Sequence, residues 1–317
     1  MTLLNSDARS LIAMRRHRRL AHCRSIVLSV GAALIGVTST ASAQWIESLP
    51  RDVRDSIVWS ADHEQGNLHQ WQSPAHKYPG GGILNTGGAE VSATATDKIA
   101  HSGKFSAAAS IKGAYRAKNG KRAVRLMRWT DRPWDDGGQY LPKDAFYSTW
   151  VYFPHNYSSK KHQPWDPGDG GWWNIFQFKA NDEKDVSEPM FVLGAYFNEG
   201  RKQIELGLTS HYGRFQSHDQ RRPIGMPIGK WVHLEAHYVV SHSGRGSITI
   251  WQDGQQLFDL KNVRTAITLE NENAVWGVGN YTDHIAGGPK EGSATLYFDD
   301  AIISTKRVGE SLVAGRR

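Results

Sequence analysis

The stretch WWNIFQFKAND, Trp172 to Asp182, places an amide and an ammonium among bulky apolar side chains. Read as a strand, it points Trp173, Ile175, Gln177 and Lys179 to one side and Asn174, Phe176 and Phe178 to the other. One face would join a core, while the other would offer a neutral hydrogen-bond donor and a cation to a polar, anionic ligand in a groove. In AVRLMRW, Arg125 and Arg128 lie on opposite faces of a regular strand, so at most one of them faces that groove. There a guanidinium could hold a carboxylate through two parallel hydrogen bonds. In QIELGLTSHYG, Gln203, Glu205, Thr209 and His211 share a polar face opposite Ile204, Leu206 and Leu208, which makes His211 a candidate general base. The stretch HLEAH, 233–237, lacks the HExxH spacing of a zinc helix. As a strand it sets His233, Glu235 and His237 on one face, which is expected to meet solvent.

These side chains need a rigid frame, and the chain reads as all-β. Runs such as KFSAAASI, AVRLMRW, FYSTWVYF, NIFQFK, MFVLGAYF, QIELGLTS, WVHLEAHYVV, SITIWQD, QQLFDL, AVWGVGNY and ATLYFDDAIIS recur between Gly, Asn, Asp and Pro clusters. Asp253-Gly254 supplies the positive-φ pair of a tight hairpin. That many strands without a linker or repeat imply a single domain of two stacked antiparallel sheets. Tryptophans in polar loops, among them Trp134, Trp165, Trp172 and Trp173, suit stacking on sugar faces at a groove rim, whereas Trp150 and Trp231 alternate with core residues.

Composition narrows the partners. The opening residues carry a basic stretch, the apolar run SIVLSVGAALIGV and an A-x-A site, a signal peptide with cleavage expected after Ala43. The apolar run is too short for a comfortable membrane span. The mature chain, residues 44–317, is therefore expected to be secreted or periplasmic, without stable membrane insertion. Cys23, the only cysteine, falls within the leader, so no disulfide is expected afterwards. Residues 1–43 hold six of the 38 basic and one of the 31 acidic residues, leaving 32 against 30, a net +2. Such a mixed, nearly balanced charge argues against nucleic acid as a partner.

Four landmarks together carry a resemblance: DHEQGNLHQWQ, HSGKFSAAASI, GKWVHLEAHYVVSHSGRGSITIWQDGQQLF and ATLYFDDAIIS. They resemble the concanavalin A-like β-jelly roll, particularly polysaccharide lyases related to heparin lyase I and glucuronan lyase, over about residues 60–305. The resemblance implies an enzyme that cleaves an acidic, uronic acid-containing polysaccharide by β-elimination, and with the leader an exported one; a monomer is expected. It sets Gln177 at the place of a cleft glutamine and Tyr281, in VWGVGNY, at the place of the catalytic tyrosine, while many relatives carry histidine where this chain has Lys179. In that scheme Gln177 and Arg125 or Arg128 neutralise the uronate carboxylate, Lys179 adds positive potential, and Tyr281 with His211 shuttles protons. Trp134, Trp172, Trp173 and Asn174 are the expected sugar contacts. The resemblance also implies a structural calcium ion held by Glu64 and Asp299, with Asp62 a weaker third ligand. Two other functions suit such a fold: a non-catalytic lectin-like module, and a glycoside hydrolase. A laminarinase-type hydrolase would display an E-x-D-x-x-E strand, which this sequence lacks, although Asp166, Asp169 or Glu205 could form another carboxylate pair.

Overall fold

In WVHLEAHYV, Val232, Leu234, Ala236 and Tyr238 point into a core and the intervening residues point away from it, the period of two expected of a strand. The same logic repeated along the chain builds a β-jelly-roll sandwich of two antiparallel sheets in the computed structural model. It describes residues 44–71, 80–114, 120–157, 172–181, 187–285, 292–310 and 312. Residues 1–43, with Cys23, lie outside them, as do Trp165, Asp166 and Asp169.

One sheet runs in the order β13 (Gln255–Val263), β12 (Gly246–Gln252), β11 (Trp231–Val239), β6 (Asp144–Tyr152), β15 (Ser293–Ser304), β4 (Ser106–Lys112), β3 (Val91–Thr96), and β1 (Ile57–Ala61) also pairs with β15. The other runs β10 (Gln216–His218), β9 (Gln203–Ser210), β8 (Ser187–Asn198), β7 (Trp173–Asn181), β14 (Val275–Thr282), β5 (Arg122–Arg128), β2 (Gly81–Thr86). The hairpin between β12 and β13 turns at Asp253 (φ 48°) and Gly254 (φ 78°), as the Asp-Gly pair predicts.

Aromatic rings from both inner faces interlock between the sheets. Phe178 of β7 stacks on Tyr238 of β11 at 3.9 Å, and Tyr147 of β6 meets Phe178 edge-on at 5.0 Å. A polar clamp crosses the same layer. Asn280 of β14 donates from Nδ2 to the carbonyls of Ala109 on β4 (2.9 Å) and Ala294 on β15 (3.1 Å), while its Oδ1 accepts from Trp173 Nε1 (2.8 Å).

The outer face of the eight-stranded sheet departs from the sequence reading. His233 and Glu235 are fully buried instead of facing solvent, because both ends of the described chain fold across them. From the short helix α1 (Gln44–Ser48), Trp45 packs against His101 (5.9 Å), Trp150 (5.7 Å) and His233 (5.6 Å). From the other end, the backbone N–H groups of Val308 (2.8 Å) and Gly309 (2.9 Å) and Arg307 Nε (3.0 Å) donate to the Glu235 carboxylate. Only His237 stays partly open, against Asp144 at 2.6 Å.

The two ring nitrogens of His233 have no hydrogen-bond partner among the described residues. Burial, then the neighbouring His101 and Arg307, push its pKa down to about 3. An unfolded histidine binds its proton near pH 6.5, so this group leaves stability intact above that value and erodes it as pH falls toward 3. Between pH 7.5 and 4.5 it should cost about 3 kcal/mol that a His233→Leu variant does not lose. Parallel denaturant melts at the two pH values check this, and equal acid losses in both proteins would refute it.

Candidate active site

The sheet containing β7 carries a cleft of about 850 Å³ on the face turned away from the core. Its floor does not follow simple alternation. A register shift between Asn174 and Phe176 against β8 inserts a bulge, and every side chain before it changes face. Trp173 therefore does not share a face with Gln177: its indole is 2% exposed and bonds to Asn280 inside the core, although the residue borders the cleft. Asn174, Gln177 and Lys179 line the cleft, and Phe176 and Phe178 join the core.

The pairing of β14 with β7 also shifts between Val278 and Tyr281, while β14 itself alternates regularly beside β5, with Asn280 inward like Trp276 and Val278 and Tyr281 in the cleft. Tyr281 pairs with Asn174 on one side and Ala123 on the other. The Trp172 indole meets its ring edge-on at 4.7 Å. Two cations flank it, with Arg125 Cζ 5.3 Å and Lys121 Nζ 5.9 Å from the ring centroid. The Arg125 guanidinium is fixed by bonds to the Leu84 carbonyl (3.2 Å) and Thr86 Oγ1 (2.8 Å). Burial lowers its pKa and the nearby phenol opposes that shift.

Gln177 sits opposite Gly277, whose missing Cβ leaves room for Met127 Sδ. That sulfur, at 3.5 Å, is the only partner of the Gln177 amide among the described residues, and it is a weak acceptor. The amide is thus available to a ligand. Lys179 follows on the same strand, half-buried, with its pKa lowered by burial and then by the Arg125 charge, and raised by Glu188.

His211 lines the same cleft from beyond β9, bonded through Nε2 to Thr209 Oγ1 at 2.9 Å, and burial lowers its pKa. Strand β9 lies three places from β14, roughly 14 Å at ordinary strand spacing. Lys179, on the strand adjacent to β14, pairs with Val275, six residues along β14 from Tyr281.

A model of the polysaccharide lyase family matches residues 63–301, about three-quarters of the chain. The chain belongs to the polysaccharide lyase family. This lyase matches none of the curated proteins in sequence. Among solved structures it is similar to the endo-β-1,4-glucuronan lyase of the fungus Trichoderma reesei, with TM-score 0.54, 14% identity, and 79% of this chain and 96% of the other covered. It is also similar to a marine alginate lyase from Aplysia kurodai, with TM-score 0.46, 13% identity, and 79% and 100% covered.

Several residues expected at the site of this lyase lie elsewhere. Arg128, 3% exposed, donates to the carbonyls of Thr130 (2.9 Å), Trp71 (3.4 Å) and Asp131 (3.2 Å), and burial lowers its pKa to about 10. It organises the loop after β5 instead of binding sugar. Trp134 is exposed on that loop, edge-on to Tyr140 at 4.9 Å, and does not line the cleft.

The two expected calcium ligands point at hydrogen-bond donors. Glu64 accepts from the N–H groups of Lys104 (2.9 Å) and Phe105 (2.8 Å). Asp299 accepts from those of His101 (2.8 Å) and Asp300 (2.9 Å), and its Oδ1 lies 3.3 Å from His63 Nδ1. Asp62 is likewise engaged, accepting from Gln70 Nε2 at 2.8 Å. Among the described residues no three His, Cys, Asp or Glu side chains gather to hold a metal. This arrangement does not fit an oxygen cage for calcium. It ties the loop 101–105 to β15 and to the segment after β1.

Sequence reasoning missed Lys121 and Phe215. Lys121 is four residues before Arg125, the same strand face, so the period of two already pointed to it. Phe215, 61% exposed in YGRFQSHD, is an aromatic in a polar loop like the tryptophans considered, and it meets His211 at 5.3 Å.

Proposed function

We propose that this lyase is exported by its leader, acts as a monomer on a uronic acid-containing polysaccharide, and performs β-elimination around Tyr281. The observation that carries the reading is the phenol of Tyr281 flanked by Arg125 and Lys121 beside the available amide of Gln177. The similarity in fold to a glucuronan lyase favours the same substrate class. Arg125 and Gln177 receive the uronate carboxylate and stabilise the charge that builds on it as the C5 proton leaves. The C5–H electrons form the C4=C5 bond, the C4–O4 bond breaks, and O4 takes a proton.

The roles of base and acid fall to Lys179 and Tyr281. His211, three strands off, contacts a neighbouring sugar instead. A half-buried lysine beside a like charge gives up its proton more readily than an exposed one, which suits it to remove the C5 proton, while Tyr281 protonates O4. The hydrolase alternative is weakened at Glu205, which is 1% exposed and already accepts from Tyr196 (3.1 Å), Asn198 (3.1 Å) and Gln203 (2.8 Å).

The first experiment follows ultraviolet absorbance of unsaturated ends on glucuronan, alginate, heparin, hyaluronan and pectate. Reducing ends without that absorbance would sink the elimination. Replacing Lys179 with Arg keeps a cation but removes a usable base, so kcat should fall by roughly 10²–10⁴-fold with KM little changed. If Lys179 supplied positive potential alone, the Arg variant would retain most of its rate. In the wild-type enzyme kcat/KM should rise with pH as Lys179 deprotonates, at a lower pH than an exposed lysine would dictate.

A further inference from the structure

The cleft crosses six strands from β10 to β5, about 24 Å at ordinary strand spacing, so it seats several consecutive sugars. Its charges are not spread evenly. Among the described residues, the cations lining it are Lys121, Arg125 and Lys179, all from the β5–β14–β7 half.

The β8–β9–β10 half is built differently. Asp219 lies close enough to Tyr196 and His218 to influence both. Beneath Tyr196 sits the buried Glu205 carboxylate, accepting from the phenol at 3.1 Å and paired with Arg201 Nε at 3.4 Å. Burial lowers the pKa of both histidines here, His211 and His218, opposed at His218 by Asp219. At the rim, Phe215 offers an exposed ring, and the Tyr196 ring lies across Gly207, where a Cβ would come within 3.1 Å of it. A uronate placed in this half would meet the lining carboxylates of Glu188 and Asp219 and no lining cation among the described residues. A neutral sugar would find hydroxyl partners and aromatic faces.

We infer that the β8–β9–β10 half of the cleft is a subsite for an uncharged sugar, so that the polymer this lyase takes alternates uronate with neutral residues. The inference rests on the lyase reading and narrows its substrate class. A homopolyuronate would have to place a carboxylate against Asp219, whereas an alternating polymer can set a uronate over Arg125 and Gln177 and a neutral residue beside Phe215.

The test compares homopolymers, glucuronan and alginate, with unsulfated polymers in which glucuronate alternates with an N-acetylated hexosamine, hyaluronan and heparosan. We expect kcat/KM on an alternating polymer to exceed that on either homopolymer by about tenfold. Asp219→Asn should narrow the gap by raising the rate on homopolymers, and Phe215→Ala should raise KM on the alternating polymer alone. Equal or faster cleavage of a homopolymer would overturn the inference. Affinity electrophoresis in gels containing each polymer reads the same subsite without turnover. Stronger retardation by the alternating polymer supports the inference, and equal or stronger retardation by a homopolymer overturns it. Absence of unsaturated ends on every polymer would sink the elimination reading, and the gels would still decide the subsite.

Discussion

Replacing Tyr281 with Phe should lower kcat by about 10³-fold while leaving KM within a few-fold and the melting temperature unchanged. The expectation follows from what the substitution keeps. The ring still meets Trp172 edge-on and still lies beneath Arg125 and Lys121, so the packing around β14 is preserved. Only the hydroxyl is lost, and with it the proton that the departing O4 needs. Steady-state rates from ultraviolet absorbance, set beside a thermal melt, separate a chemical defect from a folding one. A variant that keeps its rate within about tenfold would remove Tyr281 from proton transfer, and Lys179 would then have to act with another acid.

The largest stability effect is expected one residue earlier. Asn280→Ala should cost about 4 kcal/mol, because it strands three buried partners at once, the carbonyls of Ala109 and Ala294 and the indole N–H of Trp173. Each of these belongs to a different strand, and two of them belong to the opposite sheet. For a chain of this size the loss corresponds to roughly 8–16 °C in melting temperature. Denaturant melts should show a lower midpoint with an unchanged slope. A loss below about 1 kcal/mol would mean that water or a local shift replaces the clamp.

Much of this architecture was legible. Strands such as β9 and β11 announce themselves because one face is apolar and the other carries the polar residues, and the hairpin at Asp253-Gly254 is written in its turn residues. Strand β2, GGILNT, was not legible, since two glycines and a short length give no alternation to read. Strand β3, VSATAT, hides for a similar reason: small side chains carry little contrast. At the site, Gln177, Lys179, Arg125, Tyr281 and His211 were found as cleft residues from side-chain chemistry and resemblance. The faces of Trp173 and Asn174 were not, because a bulge is a property of two paired strands, and one strand's sequence does not contain it. The burial of His233 and Glu235 depends on distant ends of the chain crossing the sheet, which no local pattern records.

The two register shifts also govern how this cleft can change over generations. They lie on neighbouring strands, between Asn174 and Phe176 and between Val278 and Tyr281, beside the residues assigned to the chemistry. Exchanging one side chain at 177, 179 or 281 alters a single contact. Inserting or deleting one residue in either strand would reverse inside and outside beyond that point, delivering Phe178 to the sugar and Lys179 to the core, or Tyr281 to the core and Asn280 to the sugar. New specificities on this frame should therefore arise by exchange at fixed lengths of β7 and β14, with length variation confined to the loops that join them.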